Sequence, residues 1–190
     1  MCDSSADITK EEAEKLGIHV LRMPITINGK EFIEEETISD QDIIEALGQN
    51  KSVKTAQPII GTMTRMWDEL LESYDEVFYI PLTKALSGTC RVAMGIAEQS
   101  PYQNRVFVLN SDFVCYPVVH MLLTARDMFE KGYTCVQAKE KIEQEGELFC
   151  YSDSGNSDRI KKRRTHFACC RSAGRIIEDT AIAEGGAWGD

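Results

Sequence analysis

The chain has 190 residues, room for one or two domains, and an apolar fraction of 43% that supports a buried core. Its formal net charge of -10 repels phosphate backbones and anionic surfaces, which argues against nucleic-acid binding and leaves at most transient membrane contact. No apolar stretch approaches the roughly 20 residues that span a bilayer, and the start, MCDSSADITKEE, lacks the basic and apolar segments of a signal peptide, so a cytoplasmic protein is expected.

In chain order, Thr9 and Glu12 form a capping box that opens a helix ending near Gly17. HVLRMPITINGKEFIE predicts strand, turn and strand, because Asn28-Gly29 between alternating apolar residues is a hairpin signal. Ser39 and Asp42 cap a short helix through about Leu47, and QNKSVKTAQPIIG follows as a polar loop. Met63, Met66, Trp67, Leu70 and Leu71 then recur at helical spacing, as a core stripe would. VFYIPL (77 to 82) and RVFVLN (105 to 110) are continuous apolar runs of strand length, the pattern of parallel strands covered on both faces. Helical stretches lie at about 87 to 99, 117 to 131 and 134 to 145, the last opened by a box of Thr134 and Gln137. This alternation predicts an α/β fold, a Rossmann-like layered sheet with flanking helices.

Residues 152 to 190 show little sustained periodicity and gather Arg and Lys while the rest of the chain is acidic. KKRR reads as a solvated basic stretch. The seven cysteines include no C-x-x-C and are expected mostly as reduced thiols. A zinc site from Cys150, His166, Cys169 and Cys170 matches no common ligand spacing, so no metal is expected. The absence of a P-loop and of G-x-G-x-x-G leaves no nucleotide cofactor indicated.

Three hydroxyl clusters are candidates for function. Ser87, Gly88 and Thr89 lie between a predicted strand and the helix after it, where ligands of parallel sheets bind. Unpaired N–H groups at the helix start, with Gly88 admitting close approach, suit a carboxylate or phosphate; alternatively Ser87 only caps the helix. The second cluster is Lys54-Thr55-Ala56-Gln57-Pro58, stiffened by Pro58, and the third is Asp3-Ser4-Ser5-Ala6-Asp7; both also read as ordinary turns. None completes a nucleophile with its base. His19, opening a predicted strand, and His120, in an apolar helix, read as structural.

Taken in order, DSSADITKEEAEKLGIHVLRMPITINGKEF, KTAQP, LTKALSGT and RVFVLNS resemble the DegV family, whose pattern is roughly D-S-x-x-D, T-S-Q-P and L-S-S-x-L-S-G-T. The resemblance covers about residues 2 to 150. It implies a two-domain α/β protein that buries a long-chain fatty acid between its domains. It places the carboxylate at Thr55 and Ser87, with Gly88 and Thr89 beside them and Ser4, Ser5 and Gln57 as secondary candidates. It further implies a carrier, not an enzyme: a separate fatty acid kinase phosphorylates the bound carboxylate. Two rivals stand beside it, a Ser87-dependent hydrolase or phosphate-binding enzyme, and an inactive truncated fragment.

The chain departs from the family pattern in four places. Only Met1 and Cys2 precede Asp3, so most of the first strand is expected to be missing from the 1–151 DegV-like region. Ala56 replaces the serine of T-S-Q-P. Asn110-Ser111-Asp112-Phe113 and Cys115-Tyr116-Pro117 stand where the family commonly has D-S and small residues, which narrows an acyl tunnel. Finally, residues 152–190 lack the family's closing segment, leaving the second subdomain incomplete. Read one nucleotide forward, the codons of SGNSD permit L-E-T-L-I, those of IKKRRTHFACCRSA permit L-K-R-x-G-R-I-S-P-A-V-A-A-L, and those of RIIEDTAIA permit G-L-L-K-I-P-x-L-L. These strings resemble the missing segment in order. A frameshift near residue 152 is therefore expected, with no functional role for Arg164, His166 or the cysteines of an aberrant tail.

Overall fold

The computed structural model describes the backbone of residues 1–152 and the side chains of residues 1–144. Four short strands form a parallel layer: β1 (Cys2–Asp3), β2 (Val20–Leu21), β6 (Val77–Tyr79) and β7 (Val106–Val108). β1 pairs with β2, and β6 with β7. A parallel bridge from Cys2 to Ile80, with the Met1 amino group donating to Phe78 O (2.8 Å) and Ile80 N to Met1 O (3.0 Å), joins the pairs in the order β2-β1-β6-β7. Two residues of first strand therefore reach across the centre of the sheet.

Both faces of this layer are covered, as the apolar runs require. Phe78 and Ile80 pack with Ala13 of α1 (Lys10–Leu16), with Val118, Met121, Leu122 and Ala125 of α5 (Tyr116–Glu130), and with Ala138 and Ile142 of α6 (Cys135–Ser152). Val77 and Tyr79, pointing the other way by the two-residue period of a strand, pack with Met63, Trp67 and Leu70 of α3 (Ile60–Leu71) and Cys90 and Ala93 of α4 (Thr89–Ala97). At the centre of that face the Trp67 ring meets Tyr79 (centroids 6.0 Å) and Tyr102 (5.2 Å) edge to face, and the Trp67 indole N–H and Tyr79 hydroxyl are buried without a hydrogen-bond partner.

A second, antiparallel sheet has the order β4-β3-β5, from β3 (Pro24–Ile27), β4 (Lys30–Ile33) and β5 (Val53–Thr55). Asn28 (φ 49°) and Gly29 (φ 83°) make the predicted hairpin turn, with both residues at the positive φ that a type I′ turn needs. Ile25, Ile38 and Ile43, the last on α2 (Asp40–Gly48), form its small core.

Two sequence expectations change. The first predicted strand, from His19 to the Asn28-Gly29 turn, is broken: its first part joins β1, and Pro24, which lacks an N–H and restricts the residue before it, starts a strand of the other sheet. The expected polar loop contains β5, which pairs with β3 (Ile25 opposite Thr55) although only Val53 of its three residues is partly buried. His166, Cys169, Cys170 and the side chain of Cys150, the KKRR stretch and residues 153–190 of the tail, with its expected frameshift, lie outside the described residues.

Candidate functional site

The carboxyl ends of the parallel strands meet at one edge of the sheet, and the loop from Leu82 to Gly88 rises there from β6. Its start is fixed from β1. Asp3 is fully buried, and its Oδ2 accepts the Leu82 N–H at 2.7 Å while Oδ1 accepts from Ser5 N (3.1 Å) and from the Ser5 hydroxyl. Burial pushes the Asp3 carboxyl above the usual carboxylate range, against the pull of those hydrogen bonds. From β7, Asn110 Oδ1 accepts the Lys84 N–H (3.0 Å) and the Thr83 hydroxyl (3.4 Å).

Ser87 sits at the exit of this loop. Its Oγ lies 2.9 Å from Thr89 Oγ1 and accepts the Thr89 N–H at 3.2 Å, so it meets part of the capping role read from the sequence. Helix α4 begins at Thr89 with Gly88 before it and no side-chain cap from that glycine, so the first-turn amides beyond Thr89 have no intrahelical acceptor. Gly88 lies against Gln57: a Cβ there would fall 2.2 Å from Gln57 Nε2 and would displace that side-chain end. The Thr55–Pro58 segment thus reaches the Ser87–Thr89 segment through Gln57. Thr55 itself is exposed at the end of β5, and Ala56 N donates to Pro24 O (3.1 Å).

In the third cluster Asp3, Ser4 and Ala6 are buried, Ser5 is half-buried and Asp7 is exposed. Ser4 Oγ accepts the Met23 N–H at 3.2 Å and hydrogen-bonds the Glu34 carboxyl, and the Ser5 hydroxyl is held by Asp3. Burial pushes the Glu34 carboxyl up, the Ser4 contact opposing it, and beside it Arg22 pairs with Glu35 and donates to Ile8 O (3.3 Å).

Sequence reasoning named residues 87–89 but not the groups that shape their loop. Asn110, Asp112 and Thr83 come from separate strand ends, and no local pattern marks them as a set. Cys90, directly after Thr89, is a buried thiol pushed up by burial, which disfavours the nucleophilic thiolate. Burial holds the Cys2 thiol at about 12. Two surface hollows lie elsewhere: one of about 310 Å³ is lined by His19, Met66, Leu70 and Tyr74, and one of about 210 Å³ by Asp68, Tyr102 and Arg105. Neither touches the 82–89 loop, and the chemistry of donors, not their volume, marks the candidate site. Among the described residues no three His, Cys, Asp or Glu side chains are grouped to hold a metal ion, and no helix is long and apolar enough to cross a membrane.

A family model, DegV, matches residues 1–148. The chain belongs to the DegV family. A DegV domain-containing protein of Staphylococcus aureus strain N315 is 26% identical over 140 residues, 74% of this chain and 50% of that protein. Among solved structures, DegV from Bacillus subtilis, a fatty acid binding protein, shares 25% identity at a TM-score of 0.68, over 77% of this chain and 52% of that one. A fatty-acid-binding DegV protein from Thermus thermophilus shares the fold, with a TM-score of 0.67 and 24% identity over 77% of this chain and 52% of that one. This chain spans about half the length of the DegV relatives it matches. The α/β layered fold expected from the sequence is that of these relatives.

Proposed function

We propose that this chain binds a long-chain fatty acid, holding its carboxylate at Thr55, Ser87, Gly88 and Thr89 with Gln57 alongside, and that it works in the cytoplasm as a carrier that presents the carboxylate to a separate fatty acid kinase. The observation that supports this most directly is the approach of the 55–58 segment to the 87–89 segment, with Gln57 against Gly88 at the carboxyl end of the parallel strands. A carboxylate leaving water needs charge-assisted hydrogen bonds, and hydroxyls with helix-start amides supply them without a catalytic base. Exposed Leu86 in this loop and Ile59 at the start of α3 offer apolar contact beside the head group. An acyl chain releases about 0.8 kcal/mol per buried CH₂, so affinity comes from the tail and orientation from the head.

The groups found on Ser87 are a hydroxyl and an amide of Thr89. A serine nucleophile needs a base in that place, which favours binding over hydrolysis. Mass spectrometry of lipid extracted from the purified chain tests the reading: stoichiometric fatty acid is expected. Ser87→Ala and Thr55→Ala are each expected to weaken binding by about 1–3 kcal/mol. Unchanged affinity in both removes the head-group assignment, hydrolysis of activated esters abolished by Ser87→Ala turns the reading toward a serine enzyme, and a chain without a cooperative thermal transition is an inactive fragment.

A further inference from the structure

We infer that Asn110 is a positioning residue that latches both ends of the carboxylate-binding loop to the end of β7, an inference that rests on the reading of residues 87–89 as the head-group contact. A single amide oxygen does the joining. Where the loop begins, Asn110 Oδ1 accepts the Lys84 N–H (3.0 Å) and shares the Thr83 hydroxyl proton (3.4 Å) with Asp112; where α4 takes over, it lies 3.7 Å from the Cys90 thiol, whose proton it shares with Met94 Sδ (3.9 Å). The five residues between Lys84 and Cys90, among them Ser87, Gly88 and Thr89, are thereby tied at both ends to one side chain. Thr83 and Cys90 are buried, so the latch closes on the protein side of the loop and leaves its outer side for a ligand.

The other half of the amide fixes its orientation. Asn110 Nδ2 donates to Asp112 Oδ1 at 2.7 Å, and the same oxygen accepts from the Thr83 hydroxyl at 3.3 Å. Asn combines an acceptor for the loop with a donor for Asp112 in one short planar group. An aspartate there would set two carboxyl groups against each other, and they could share the site only while one stayed protonated. A loop held in its binding shape before the ligand arrives loses less freedom on binding, and its donors stay within hydrogen-bond range of one point.

The test combines amide exchange of the 82–90 segment in the ligand-free chain with oleate affinity. Asn110→Ala is expected to speed exchange about tenfold in this segment alone and to weaken oleate binding about tenfold. Asn110→Asp is expected to bind oleate nearly as the parent chain does at about pH 5 and progressively worse than it toward pH 8, because ionisation of residue 110 sets it against Asp112. The other charged or titratable groups here are Lys84, Asp3, Lys139 and the Cys90 thiol. They are common to both chains, so the affinity ratio isolates residue 110. Parent-like exchange and affinity in Asn110→Ala overturn the inference. If that variant exchanges faster everywhere, it has unfolded and Asn110→Asp decides: a ratio that does not change with pH overturns it. If the parent chain binds no oleate, the carboxylate reading fails, and exchange of residues 82–90 alone decides whether Asn110 is a latch.

Discussion

The loop that carries Ser87 rises from a layer buried on both faces, whereas Thr55 and Gln57 come from an antiparallel sheet whose buried core is Ile25, Ile38 and Ile43. On the first side, Asp3, Asn110 and Asp112 fix the backbone or side chains of residues 82–84. On the second, Thr55 is exposed, and Gln57 meets Gly88 through the flexible end of a side chain. One half of the candidate site is therefore set by the main core, and the other depends on a small sheet that can open at less cost.

Core truncation on each side measures that difference. Trp67→Ala, deleting a fully buried ring from the α3 face of the layer, is expected to cost about 3–5 kcal/mol in a urea melt, and Ile43→Ala in the small sheet about 2 kcal/mol. Equal losses would mean the two cores are not distinct in strength.

Asp3 sharpens the comparison on the firm side. Asp3→Asn leaves one of its acceptor contacts unmade and is expected to cost about 1–3 kcal/mol. The pH dependence has a definite sign. Burial raises the carboxyl in the folded chain, so the folded state holds the proton more tightly than the unfolded state. Its contribution is complete below the ordinary carboxylate range and is lost as pH rises through the raised value. The stability gap between the parent chain and Asp3→Asn should therefore narrow from about pH 4 to pH 8. A gap that widens would contradict the assignment.

The smallest expected effect is at the caps. Ser39 Oγ accepts the Asp42 N–H (3.2 Å) at the start of α2, and Ser39→Ala should cost about 1 kcal/mol. Because α2 supplies Ile43, the loss should appear chiefly as faster amide exchange in the antiparallel sheet, with little change in β6 and β7.

Features decided by neighbours in sequence were legible. The boxes Thr9 with Glu12, Ser39 with Asp42 and Thr134 with Gln137 are all formed. The Asn28-Gly29 turn is formed as well, and Val77 to Ile80 alternate between two buried faces because both faces are covered. What escaped notice is decided at a distance. β5 carries no apolar alternation and is a strand only because β3 offers it partners. Asn110 reads as the end of the RVFVLN run and as a departure from the family's D-S, and its bonds to Lys84 and Thr83 follow from β7 lying beside β6. Of the candidate site residues, the 87–89 motif and the Asp3–Asp7 cluster with Ser4 were legible as sequence, while the burial of Ser4 and the frame that Asp3, Asn110 and Asp112 build around residues 82–84 were not.

The fully buried indole of Trp67, with no hydrogen-bond partner and two tyrosine rings at its edge, gives the protein its own optical reporter. Shielded from solvent dipoles, it is expected to emit at short wavelength and to resist collisional quenchers. The chain has two tryptophans, so Trp188→Phe leaves a single indole that, excited selectively over the six tyrosines, watches the α3 face of the sheet while the other half of the molecule is varied.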